Sequence, residues 1–115
     1  MVELVIDDHV DRGWTVLAVQ GEVDILTAPS LRERIEDASS SETPMLLIDL
    51  TSVSFLDSSG LGVLVSALKR VKERGGRLAL AASTRPVLHV LSLTGLDKVF
   101  EIHPSAQDVP TVTNV

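Results

Sequence analysis

Met45-Leu46-Leu47-Ile48-Asp49-Leu50, followed by Phe55-Leu56-Asp57-Ser58-Ser59-Gly60-Leu61-Gly62, decides the fold of this chain. The apolar run predicts a buried strand. It leads into a polar turn, after which Leu61, Leu64, Val65, Leu68 and Val71 recur at the spacing of an amphipathic helix. A helix start leaves backbone N–H groups unpaired and carries the positive end of the helix dipole, so it favours an anion. Ser58 and Ser59 sit at that start. A serine there can cap the helix, act as a nucleophile or accept a phosphoryl group.

Upstream, Val2 to Asp7 reads as a first strand and Trp14 to Gln20 as a second, joined as a hairpin through Arg12-Gly13. Gly21-Glu22-Val23-Asp24 makes a polar corner. Thr27 to Ala38 follows as a helix capped by Thr27, with Pro29 in its first turn and Leu31, Ile35 and Ala38 on one face. Ser39-Ser40-Ser41 closes it, and Pro44 precedes the central strand. Downstream, the helix after Ser59 stops at Gly75-Gly76, and Leu78 to Ala82 is the next strand. A third helix starts at Thr84-Arg85-Pro86 and ends at Gly95, and Leu96 to Ile102 offers a short last strand around Val99 and Phe100. A final helical turn can follow Pro104, Pro110 keeps it short, and Thr111 to Val115 are expected to fray. Strand, helix, strand in that order implies right-handed crossovers and parallel pairing. The predicted fold class is α/β: a single domain over residues 1–115, a small mixed β-sheet with helices packed on it.

Composition excludes several classes of function. With 44% hydrophobic residues in 115, the chain has a real but small core. A formal charge of −6 argues against nucleic acid, whose phosphates require a basic patch. The absence of cysteine removes disulfides, thiolate catalysis and cysteine metal sites. Acids at the N-terminus do not suit a secretory signal, and no segment has the length of a membrane span, so a cytoplasmic protein is expected. Three aromatic residues, Trp14, Phe55 and Phe100, are too few for stacking platforms.

Known chemistries can be tested against the turn at Ser58. A phosphate-cradling P-loop ends in Gly-Lys-Ser/Thr, whereas the first lysine here is Lys69, well down the helix. A nucleophile elbow needs a glycine two residues before the serine, where this chain has Leu56 or Asp57. His9, His89 and His103 lie in scattered contexts and make no catalytic pair with either serine. No metal site is expected, since no His or acid pair has ligand spacing on one face. Two readings survive. One serine, with Ser59 the better placed, caps the helix and contributes about 1 kcal/mol. In the other reading a serine of the turn accepts a phosphoryl group from another protein, and the helix start provides a home for the product dianion. Gly62 inside the first turns costs about 1 kcal/mol against alanine, which predicts a close backbone approach there.

Asp49-Leu50, then Val53 to Leu64 with Asp57-Ser58-Ser59-Gly60-Leu61-Gly62 at its centre, resembles the signature of bacterial anti-sigma factor antagonists, the stand-alone members of the STAS domain family. Gly21-Glu22-Val23-Asp24 with Thr27-Ala28, and Leu93-Thr94-Gly95-Leu96, resemble further hallmarks of that family. The resemblance implies partner switching by a protein that is not an enzyme and has no cofactor. The unmodified antagonist binds an anti-sigma factor that is also a serine protein kinase of the GHKL type, and so frees the sigma factor. The kinase then phosphorylates the serine corresponding to Ser58, and a PP2C-type phosphatase reverses the step. The alternative is a non-catalytic STAS scaffold subunit of a transporter or a stress-signalling complex. The family's last helix is longer than Pro110 and the tail allow here.

The same resemblance gives the neighbours of Ser58 graded roles. Asp57, Ser59, Gly60, Leu61 and Gly62 support the loop, and the phosphate is expected to face the N–H groups of Ser59, Gly60 and Leu61. Glu22 and Asp24 are expected beside the turn, contacting the kinase or serving as turn acids. Val63, Ser66, Ala67 and Arg70 lie off the predicted apolar stripe and are candidates to dock the partner, or else a solvated face. The free protein is expected to be a monomer, because no large apolar stripe is left over.

Overall fold

The computed structural model describes residues 4–113. Val2 and Glu3 of the predicted first strand, and Asn114 and Val115 of the tail, lie outside the described residues. The elements run β1 (Val5–Asp11), β2 (Trp14–Val23), α1 (Ala28–Ala38), β3 (Met45–Leu56), α2 (Ser58–Glu73), β4 (Arg77–Ala81), α3 (Arg85–Leu93) and β5 (Glu101–His103). Short 3₁₀ turns occupy Leu96–Lys98 and Ala106–Asp108.

Strand order in the sheet follows chain order, β1-β2-β3-β4-β5. β1 and β2 are antiparallel across a hairpin whose two turn residues, Arg12 (φ 49°) and Gly13 (φ 86°), both adopt the left-handed conformation that a tight turn demands. All later pairings are parallel, so each needs a helical crossover. Successive crossovers of one hand, all stepping in one direction along the sheet, place every helix on the same face. There α1, α2 and α3 bury Leu31, Ile35, Leu64, Leu68, Val87 and Leu91 against the alternate strand residues Leu46, Ile48, Leu50, Leu78 and Leu80.

The second face has a different cover. Trp14, Val16, Leu47, Ala79 and Ala81 form a smaller cluster under Ala106, Val109 and Val112 of the C-terminal segment. The Arg12 guanidinium donates to the carbonyls of Ala106, Gln107 and Val109, and Trp14 Nε1 donates to the Pro110 carbonyl at 2.8 Å. The Val112 amide in turn donates to the Arg12 carbonyl at 2.9 Å. The predicted fraying from Thr111 therefore does not hold at Val112, which an apolar contact and a backbone hydrogen bond tie to the hairpin.

Three boundaries also differ from expectation. β2 continues through the polar corner to Val23, which is fully buried, because bulges after Ala18 and Gly21 let it stay paired with β3. β3 likewise runs on to Leu56, burying Val53 and Leu56. The last strand begins only at Glu101: Gly95 (φ 75°) turns the chain into the 3₁₀ segment, Phe100 plugs the core, and Val99 points outward.

Candidate functional site

The central strand β3 ends at Leu56, at the C-terminal end of the parallel strands, and α2 starts two residues later. Between them Asp57 is extended (φ −104°, ψ −171°) and its Oδ1 accepts from the amides of Ser59 at 2.9 Å and Gly60 at 3.2 Å. Asp57 is thus the helix cap, not Ser59. A carboxylate reaches the second and third amides as well as a hydroxyl does, and its charge also suits the helix dipole. The Asp57 amide donates to the Val23 carbonyl at 3.1 Å, which fixes the turn to the end of β2.

Ser58 occupies the first helical position and is exposed; among the described residues its hydroxyl makes no hydrogen bond. Ser59 is half-buried and Leu61 belongs to the core. The close approach predicted at Gly62 belongs to Gly60 instead. A Cβ on Gly60 would overlap Leu56 Cδ1 and Val23 Cγ1, whereas one on Gly62 would meet nothing within 4 Å. Gly62 is exposed one turn below Ser58 and leaves a flat stretch of backbone beside it.

The expected phosphate cradle also changes. The amides of Ser59 and Gly60 are taken by the Asp57 carboxylate, and that of Leu61 by the Asp57 carbonyl at 3.0 Å. A dianion on Ser58 would feel the helix dipole but would have to displace Asp57 to reach those donors.

The β2–α1 loop lies alongside, joined through the Val23–Asp57 hydrogen bond. Asp24 Oδ1 accepts from the amides of Leu26 at 2.9 Å and Thr27 at 3.0 Å. Thr27, the predicted cap of α1, makes no capping bond; its hydroxyl instead donates to the Glu22 carbonyl at 2.8 Å. Glu22 is half-buried and pairs across the sheet with Phe55. Sequence reasoning missed the apolar side chains at this end of the sheet. Ile25, Leu26 and Phe55 are 73%, 80% and 45% exposed, too much for residues that only fill a core. Ile25-Leu26 in a polar loop, and Phe55 on the outward phase of β3, were the available signals.

On α2 the predicted stripe needs correction. Val63 and Ala67 are buried against α1, while Val65, placed in the stripe, is 44% exposed on the Ser58 side. The reason is that α2 packs on both the sheet and α1, so its buried arc is wider than one stripe and rotated toward α1. Ser66 is exposed and Arg70 half-buried. Val63, Ser66, Ala67 and Arg70, but not Val65, line one groove of about 260 Å³ between α1 and α2, with Arg32, Ile35, Glu36, Lys69 and Glu73.

Among the described residues no group of three or more His, Asp or Glu side chains could hold a metal ion, and no helix is long and apolar enough to cross a membrane. His9 is exposed on β1 and His89 exposed on α3, while His103 pairs with Glu101 at 2.8 Å on the far side of the sheet.

The sequence model of the STAS domain family matches residues 2–109, and the chain belongs to that family. It is 39% identical over 95 residues to the anti-sigma-B factor antagonist of Listeria monocytogenes, covering 83% of this chain and 79% of that protein. It is 32% identical over 112 residues to the anti-sigma-F factor antagonist RsfB of Mycobacterium tuberculosis, covering 96% and 88%. The crystal structure of an anti-sigma factor antagonist from Mycobacterium paratuberculosis shares the fold with a TM-score of 0.79 at 33% identity, over 94% of this chain and 90% of the other.

Proposed function

We propose that this chain is an anti-sigma factor antagonist whose hold on its partner is switched by phosphorylation of Ser58. The observation that carries this is the Ser58 hydroxyl, exposed and free of hydrogen bonds at the first position of α2. The names of the relatives support the antagonist role. In this reading a serine kinase that is itself the anti-sigma factor supplies the phosphoryl group. A PP2C-type phosphatase removes it. The chain itself acts by binding, not by catalysis, and works in the cytoplasm.

The docking surface surrounds the hydroxyl. Ile25, Leu26, Phe55 and Val65 provide apolar contact, Gly62 lets a partner approach the helix backbone, and Glu22 and Asp24 add charge at the rim. Phosphorylation adds about −1.5 to −2 charges at neutral pH. They fall next to Asp57 on a chain already at −6. In the free protein the dianion stays in water at a helix start, where it costs little. In the complex it would be desolvated or pressed against acids, which costs several kcal/mol. A penalty of about 4 kcal/mol weakens binding roughly 10³-fold, so no backbone rearrangement is required.

Incubation with the cognate kinase and ATP, followed by peptide mass spectrometry, tests the assignment. Phosphate should appear on Ser58, vanish in Ser58→Ala and persist in Ser59→Ala. Phosphate on Ser59, or none on a chain that binds the kinase, would overturn it.

A further inference from the structure

We infer that the groove between α1 and α2 is a second docking site for the same kinase and receives an acidic, partly apolar segment of it, with a carboxylate seated on Arg70. The identity of the partner rests on the proposed function; the chemistry of the segment rests on the groove. The floor is apolar, made by Ile35, Val63 and Ala67. Three cations, Arg32, Lys69 and Arg70, line it against two acids, Glu36 and Glu73. Neither acid forms a salt bridge with Arg70 among the described residues, and Arg70 Nε is buried with no hydrogen-bond partner.

A buried donor without an acceptor is destabilising, so it marks a place where an incoming acceptor is favoured. Nε is closed to solvent as it stands, so the half-buried Arg70 side chain turns to present its guanidinium edge to a carboxylate, which it then holds through two parallel N–H bonds. Charge across the molecule points the same way. The chain is at −6, yet on α1 and the C-terminal end of α2 with its cap Arg74, six basic residues (Arg32, Arg34, Lys69, Arg70, Lys72 and Arg74) outnumber four acids (Glu33, Glu36, Asp37 and Glu73), which leaves the region at +2. An acidic segment is complementary to that region and repelled by the rest of the surface. A groove of about 260 Å³ is small for a cofactor, since such pockets span roughly 300–1,000 Å³, but it accommodates one or two side chains. Arg70 lies about 18 Å along α2 from Ser58, and an ordinary interface of roughly 800 Å² per partner covers both.

The test is calorimetric titration of the full chain with its cognate kinase, using Arg70→Met, Lys69→Glu and Ser58→Asp beside the wild type. Arg70→Met should bind about tenfold or more weakly, because a charge-assisted pair is lost. It should melt no lower than wild type, since methionine covers the same floor and the unmet donor is gone. Wild-type affinity in Arg70→Met, with Ser58→Asp weak, would overturn the groove and leave the Ser58 switch standing. Weak binding by Arg70→Met, with Ser58→Asp as tight as wild type, would support the groove and overturn the switch. Should Arg70→Met melt well below wild type, the exposed Lys69→Glu decides: weaker binding supports the groove, and unchanged binding overturns it.

Discussion

Replacing Asp57 by alanine removes the carboxylate that closes the start of α2 and, with it, hydrogen bonds from Ser59 at 2.9 Å and Gly60 at 3.2 Å. Loss of such a cap costs about 1 kcal/mol, within a range of about 0.5–2. The lost interaction of its charge with the helix dipole adds about 0.3–1 kcal/mol. Asp57→Ala should therefore be destabilised by about 1–2 kcal/mol. At about 2.1 cal/mol/K of unfolding entropy per residue, a chain of 115 residues then loses about 4–8 °C in Tm. The substitution also frees two amides that a phosphate on Ser58 can use. Phosphorylation should recover about 1 kcal/mol in the variant, while in wild type, where Asp57 holds those amides, it should change stability by less than about 0.5 kcal/mol. Circular dichroism melts of both proteins, each with and without phosphate, measure all four states. An unchanged Tm for Asp57→Ala, or an equal gain from phosphate in both proteins, would refute this account of the turn.

The two glycines of the turn should respond in opposite directions in urea unfolding. Gly60→Ala should lose about 1–3 kcal/mol through overlap with Leu56 and Val23. Gly62→Ala should gain about 0.5–1 kcal/mol, since its new methyl meets open space. On the second face, Trp14→Phe leaves the Pro110 carbonyl without its donor at a cost of about 1 kcal/mol, visible as faster hydrogen exchange at the Val112 amide. In acid, the hydrogen bonds from Arg77, aided by His103, hold the Glu101 carboxyl below the usual carboxylate range. A lowered folded value stabilises the protein above the unfolded value of about 4.3, and that contribution disappears as pH falls through the folded value. Arg77→Met should therefore show a shallower loss of stability below about pH 4.5, and by a small amount because the pair is partly exposed.

The strand–turn–helix block was legible because three independent signals coincide there: an apolar run, a polar turn and a helical repeat. The parallel order and the hairpin at Arg12-Gly13 follow from equally local patterns. What stayed hidden depends on neighbours distant in sequence. Gly60 and Gly62 look alike until Val23, brought in by strand pairing, is seen to press on one of them. Asp57 and Ser59 are both good caps by residue type, and only the extended backbone at Asp57 separates them. The stripe through Val65 assumed one buried side, whereas α1 supplies a second and pulls Val63 and Ala67 inward. The C-terminal cover could not be read at all from periodicity, because Arg12 and Trp14 hold it from the other end of the chain. Asp57 and the Glu22–Asp24 loop lie near one another because they sit at adjacent ends of paired strands, joined by the Asp57 amide and the Val23 carbonyl.

The most direct test of the switch is the affinity of the cognate kinase for the chain before and after stoichiometric phosphorylation of Ser58, measured with the same preparation by surface plasmon resonance. A loss of roughly 10³-fold, with Ser58→Ala binding as tightly as unmodified protein, is the predicted result. Equal affinity for the modified and unmodified chains would contradict it.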